Sequence, residues 1–168
     1  RYPVYPIEQL ARDATFLEVA YQLLYGELPS QEFLADFQSI IAEAADVPQP
    51  VLDLIEAIPL HVGGMDVLRT AVSAAAHFDP QLDDDTPEGA RAKATRLLAQ
   101  IPILIAARHR LVQGLPLVNP NPELSFAGNL LSLITGNVPS ALEERAMDVS
   151  LILYAEHEFN ASTFTARV

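Results

Sequence analysis

The stretch YAEHEFNAST, residues 154–163, sets His157 between Glu156 and Glu158 and places Asn160 three residues further on. Histidine and amide side chains both donate hydrogen bonds, and at this spacing the two can share one side of the chain. Two such donors directed into one cavity suit a small polar anion. Upstream, Leu142, Ala146, Val149 and Leu153 fall on one line at helical spacing, with Glu143, Glu144 and Arg145 outside it. From Val149 onward the run VSLILYA is apolar all round, which predicts a buried helix end. His157 continues the line through Ala146, Val149 and Leu153, so the pattern predicts that it arrives on the inward side, at the mouth of the core. A plainer account uses the same residues. His157 would be a histidine stabilised by the dipole at a helix C-terminus, and Asn160 would cap a new helix, ASTFTARV. On spacing alone the plainer account stands ahead.

Other polar groups are weaker candidates. Arg108-His109-Arg110 could clamp a phosphate, but these residues also fall in the last turns of a helix, where the dipole favours cations. Asp83-Asp84-Asp85 could bind a cation, yet the run lacks the spacing and glycine of a calcium loop, and a solvated turn feeding a helix is the better reading. His61 and His77 flank helices with no partner in sequence. Gly63-Gly64 follows no strand, so it is no dinucleotide fingerprint. There is no GxSxG, HExxH or phosphate-binding loop, and no metal site is expected.

The elements that must position these groups read as helices. Pro6 opens PIEQLARD at a permitted first-turn position. ATFLEVAYQLLY closes at Gly26, and Ser30 can cap QEFLADFQSIIAEAAD, where Phe33, Phe37, Ile40 and Ile41 recur at helical spacing. VLDLIEAI is a short segment between prolines. After Gly63-Gly64, Met65, Leu68, Val72 and Ala76 are expected to line one helix face. Thr86-Pro87-Glu88 is a strong helix start, and the helix can run to Gly114. Leu97, Leu98, Ile101, Leu104, Ile105, Leu111 and Val112 form its expected stripe, with a bend at Pro102. PLVNPNP at 116–122 is a loop. ELSFAGNLLSLIT closes at Gly136, and Ser140 with Glu143 forms a capping box for the last long helix. No segment alternates with period two. The fold class is all-α, with eight or nine helices.

Composition sets the outer bounds. A chain of 168 residues is enough for one domain with a real core. Half the residues are hydrophobic and mean hydropathy is +0.19, which is apolar for a soluble domain. The excess lies on long helical segments, so part of it is expected to meet another subunit. The net charge of −12 argues against nucleic acid, and with only nine arginines an anionic ligand would need a local cluster of them. There is no cysteine, which removes disulfides and thiolate chemistry and suits a cytoplasmic location. No apolar run approaches a membrane span; LLAQIPILIAA at 97–107 is the longest candidate. The chain opens on Arg1 and ends at Val168 inside a helical reading, so both ends look cut.

YAEHEFNASTFTARV resembles the citrate synthase family, with wording similar to the bacterial branch that includes 2-methylcitrate synthases. Other pieces agree in order. RYPVYPIEQLA resembles the family's YRGYPIxxLA opening, with Pro3-Val4 where Arg-Gly is usual. FLEVAYQLLYGELPS is similar to its next helix and turn. MDVLRTAVSA is similar to the segment after its His-Pro-Met, although Gly63-Gly64-Met65 stands there and the histidine is missing. The resemblance spans nearly the whole chain. It implies part of the family's large helical domain and a homodimer formed through helices near 64–79, 87–113 and 140–168. It implies condensation of acetyl-CoA, or propionyl-CoA, with oxaloacetate followed by thioester hydrolysis, with no further cofactor. His157 matches an oxaloacetate-binding histidine, and Asn160 a neighbouring polar position. The family's Gly-Pro-x-His-Gly histidine, its second catalytic histidine, its catalytic aspartate and its substrate arginines all follow this signature. The resemblance therefore places no catalytic residue within the 168 residues and implies that they are inactive alone. A non-catalytic helical dimerisation module is the alternative of another class.

Overall fold

The computed structural model describes residues 5–155 and residue 165. Among these there are eight helices and no strand, as the all-α reading expects. They are α1 (Ile7–Asp13), α2 (Phe16–Tyr25), α3 (Gln31–Ala44), α4 (Gln49–Ala57), α5 (Gly64–Ala76), α6 (Pro87–Val112), α7 (Phe126–Thr135) and α8 (Ala141–Ala155).

The starts are set by side chains that satisfy first-turn amides, which have no partner within the helix itself. Ser30 accepts from the Phe33 amide at 3.2 Å, and Thr86 accepts from the Gly89 amide at 3.1 Å. Ser140 and Glu143 make the expected reciprocal box, with the Ser140 amide donating to the Glu143 carboxylate at 2.8 Å. Thr15 and Glu18 make a second such box at the start of α2, and Ser125 caps α7 through the Gly128 amide. Gly26 and Gly136 end α2 and α7 in the left-handed conformation, with φ of +95° and +79°, where a side chain is disfavoured.

The 26-residue α6 is the central element, packed against α3, α4, α5 and α7. It continues through Pro102 rather than ending there. It joins two cores. One gathers Leu10, Phe16, Val19, Phe37 and Ile41 around Ala99 and Ile152. The other gathers Val51, Ile55, Val67 and Ala71 around Leu104.

The helices are where the sequence predicts them, but several of their faces are not. α5 buries Val67, Ala71 and Ala75, while Met65 is 77% exposed. Leu68, Val72 and Ala76 of the expected face are half-buried, and Leu68 and Val72 pack beside this core, so the inward face is turned by about one residue from the expected one. On α6 the buried set is Gly89, Thr95, Ala99, Leu104, Ala106, Ala107, Arg108 and Arg110; of the expected stripe Leu104 is buried, Leu98, Ile101 and Leu111 are half-buried, and Leu97, Ile105 and Val112 are exposed. A helix touched on several sides has no single stripe, so counting large apolar residues misplaces its contacts. On α3, Phe37 and Ile41 are buried while Phe33 and Ile40 face outward. None of the helices among the described residues is long and apolar enough to cross a membrane.

Candidate functional site

α8 leads directly into the stretch with the richest chemistry, and its orientation differs from the sequence expectation. Of the expected inward line, Leu142, Ala146 and Leu153 are exposed, Leu142 at 80% and Leu153 at 49%, and Val149 is half-buried. Tyr154 is 77% exposed, so the helix end is not buried all round. The inward residues are instead Asp148 and Ile152, with Arg145 half-buried beside them. The physical reason is a polar anchor. Arg145 Nη1 donates to the Asp148 carboxylate at 2.8 Å and to the Ala14 carbonyl at 2.9 Å. Its Nη2 donates to the carbonyls of Ala11 at 2.5 Å and Arg12 at 3.0 Å, at the end of α1. Asp148 accepts from the Phe16 amide at 2.9 Å, at the first residue of α2. One buried bond from the Phe16 amide to Asp148 and the charge-assisted bonds of Arg145 to the end of α1 outweigh an apolar stripe that could be turned several ways. His157 and Asn160, the expected substrate ligands, lie outside the described residues, as does most of the segment expected as a further helix.

The other polar candidates are placed clearly, and they hold structure. Arg108 is buried and donates to the carbonyls of Ile58 at 3.1 Å, Pro59 at 2.7 Å and Val62 at 3.1 Å, closing the turn after α4. Arg110 is buried too, and donates to the carbonyls of Pro116 and Ile134, tying the end of α6 to the loop beyond it and to the end of α7. His109 between them points outward. The tripeptide is therefore no phosphate clamp. Asp84 accepts from the Thr86 amide at 3.0 Å and from its hydroxyl at 2.6 Å, bonds that hold its carboxyl below the ordinary value. The Asp84 carbonyl receives Lys93 at 2.7 Å. The acidic run is thus a turn clamped onto the start of α6. Among the described residues no group of three acids or histidines is placed to hold a metal. His61, in the turn between α4 and α5, and His77, at the end of α5, are both exposed.

Two ion pairs that the sequence does not announce brace this frame. Arg96 grips Asp79 through two hydrogen bonds of 2.9 and 2.6 Å and reaches Gln81 at 3.0 Å. Burial pushes the Asp79 carboxyl up, but Arg96, the Gln81 amide and the charge of Lys93 together hold it below its ordinary value. The second is Arg145–Asp148, for which the R-x-x-D spacing is the only signal in the sequence. A cleft of about 790 Å³ opens between α3, α6, α7 and the 117–124 loop, floored by Ala99, Ala106, Ala107 and Leu133. It is lined by no histidine, and its arginine, Arg110, is engaged with carbonyls.

A sequence model of the family described as citrate synthase, C-terminal domain, matches residues 1–168. The chain belongs to the citrate synthase family. It is 42% identical over 161 residues to a citrate synthase of Deinococcus radiodurans, covering 96% of this chain and 43% of that protein. It is 41% identical over 167 residues to a 2-methylcitrate synthase of Mycobacterium tuberculosis, covering 99% of this chain and 42% of that one. The fold superimposes on the crystal structure of citrate synthase from Pyrobaculum aerophilum with a TM-score of 0.91 at 32% identity, over 98% of this chain and 43% of that chain. The chain thus spans less than half the length of the citrate synthases it matches.

Proposed function

We propose that this chain is part of the large helical domain of a citrate synthase, which condenses acetyl-CoA with oxaloacetate to give citrate and CoA. The observation that carries the reading is the match of the whole chain to the family, together with the HEFNAST stretch after α8. In this reading His157 binds oxaloacetate by hydrogen bonding, and Asn160 supports it from the same stretch. A carboxylate elsewhere in the complete polypeptide removes a proton from the acyl methyl group, and histidines stabilise the enol and polarise the ketone. The polypeptide needs no cofactor beyond its acyl-CoA substrate and works in the cytoplasm as a homodimer. The apolar residues left outside on α5 and α8 support that assembly, because Met65, Leu142, Leu153 and Tyr154 are open to solvent in the single chain.

A second reading changes only the acyl group. Relatives named citrate synthase and 2-methylcitrate synthase match at 42% and 41% identity, so propionyl-CoA is the alternative substrate. One methylene shifts selectivity by about 1–3 kcal/mol. The exposed apolar faces also suit a helical dimerisation module without catalysis, and turnover distinguishes it. CoA release by the complete polypeptide, assayed with acetyl-CoA and propionyl-CoA in turn, is expected to depend on oxaloacetate. The 168 residues alone are expected to release none. Release by the 168 residues would show that the catalytic groups lie within them, and no release by the complete polypeptide would favour the module.

A further inference from the structure

We propose that the cleft between α3, α6, α7 and the 117–124 loop binds a small organic ammonium ion with an apolar body. All of its lining residues lie within 17–133.

The cavity is held open by the elements around it. Its floor on α6 is Ala99, Ala106 and Ala107, all buried, with Leu133 of α7 beside them. Alanine ends at its β-carbon, so α6 does not fill the space in front of it. The opposite wall is the loop, and it is too stiff to settle onto that floor. Pro116, Pro120 and Pro122 fix the backbone there and remove its donors. Arg110 Nε donates to the Pro116 carbonyl and ties down one end of the loop. Asn129 of α7 ties down the other. Its Oδ1 accepts from the Asn121 amide at 2.7 Å, and its Nδ2 donates to the carbonyls of Asn121 at 2.8 Å and Leu124 at 3.1 Å. The space left is about 790 Å³, within the roughly 300–1,000 Å³ of small-molecule sites. A preformed cavity also spares a ligand the cost of ordering the loop.

The lining selects the class of ligand. The floor is apolar and buried, whereas the charged groups at the mouth, Asp46 and Glu123, are exposed carboxylates. Neither carboxylate meets a cation among the described residues. Asp46 lies just beyond the end of α3, where the helix dipole adds to the negative potential. Gln38 and Asn119, also exposed in the lining, carry amide oxygens that accept from an ammonium. Arg110 is the one cation of the lining. It is 5% exposed, and two of its nitrogens are held by the Pro116 and Ile134 carbonyls, so its charge is turned to the backbone. The net charge of −12 repels anions at longer range. An ammonium at the mouth with its apolar body on the floor meets both parts of the lining, whereas a carboxylate there would face Asp46 and Glu123.

The test is fluorescence titration of the complete polypeptide with two probes that share one apolar body. Dansylcadaverine ends in an ammonium, and dansyl-ε-aminocaproate ends in a carboxylate. Dansylcadaverine is expected to bind saturably at one site, about fivefold or more tighter than the carboxylate probe. Asp46→Asn with Glu123→Gln is expected to bring the two affinities within about twofold. Ala42→Trp puts an indole into the cleft from an exposed position on α3 and is expected to weaken both probes about tenfold or more. No saturable binding of dansylcadaverine, or a preference for the carboxylate probe, overturns the proposal. So does an unchanged affinity in Ala42→Trp, because the probe then sits elsewhere. Should Ala42→Trp not fold, the paired charge variant decides, since both of its sites are exposed. Loss of the preference for the amine upholds the proposal, and an unchanged preference overturns it.

Discussion

Gly26 and Gly136 form a matched pair that isolates one contact in the frame beneath α8. Each ends a helix with positive φ, +95° and +79°, and each amide donates to the carbonyl four residues back at 2.8 Å. Substitution by alanine forces a side chain into the left-handed region, at about 1–2 kcal/mol. Part of that is returned by the stiffer unfolded chain, about 0.4–1 kcal/mol. At Gly26 nothing lies within 4 Å of the added methyl, so Gly26→Ala is expected to cost about 1 kcal/mol. At Gly136 the methyl would stand 2.9 Å from Arg110 Nη1 and 3.2 Å from Nη2. Arg110 has little freedom to yield, because it is buried and bound to the Pro116 and Ile134 carbonyls. Moving it breaks at least one charge-assisted bond, at about 1.5–3 kcal/mol. Gly136→Ala is therefore expected to cost about 3 kcal/mol, some 2 kcal/mol more than its partner. Urea denaturation of the two variants measures the difference, and an Arg110→Met background should bring the two costs together. Equal costs in the Arg110 background would refute the claim that this arginine is a fixed tie between α6, the loop and α7.

Three further outcomes are expected. Asp79 is held below its ordinary pKa, so it adds stability above the unfolded value of about 3.9 and loses it as the pH falls through the folded value. The stability lead of the unmodified protein over Asp79→Asn should shrink between about pH 5 and 3, and a constant lead in denaturant titrations would contradict this. Gln22 is 1% exposed and neither of its side-chain polar atoms has a partner, so Gln22→Met should be neutral or stabilising by up to about 2 kcal/mol; a clear loss of stability by calorimetry would show that the amide is bonded. Leu142→Asp with Leu153→Asp should give a monomer by light scattering at concentrations where the unmodified protein self-associates. An unmodified protein that is monomeric across the dilution series would remove the basis for that prediction.

The helices were legible in the sequence because their ends are local events. Ser30, Thr86-Pro87, Gly26, Gly136 and the Ser140–Glu143 box act within four residues, and each is found where its residue type predicts. The Thr15–Glu18 box was equally open to reading, since the T-x-x-E pattern stands in the sequence. Helix faces were less legible. On α8 the apolar residues offer more than one stripe, and the choice is made by carbonyls more than 130 residues away in sequence, which spacing within α8 does not report. On α5 and α6 the buried residues mix alanines with Val67, Leu104, Arg108 and Arg110, so the positions of the large apolar side chains alone do not mark the seam. Arg108 and Arg110 were readable as helix-end cations but not as ties to the turn after α4 and the end of α7, because those carbonyls come from other elements. The candidate site was legible only through the wording of YAEHEFNAST. Its spacing alone favoured a helix-end histidine and a capping asparagine.

The account turns on His157, and calorimetric titration of oxaloacetate into the complete polypeptide, unmodified and with His157→Ala, tests it most directly. Losing one charge-assisted hydrogen bond to a carboxylate is worth about 1.5–3 kcal/mol, so the variant is expected to bind at least about tenfold more weakly. Equal affinity in the two proteins would contradict the assignment of His157 as the oxaloacetate ligand.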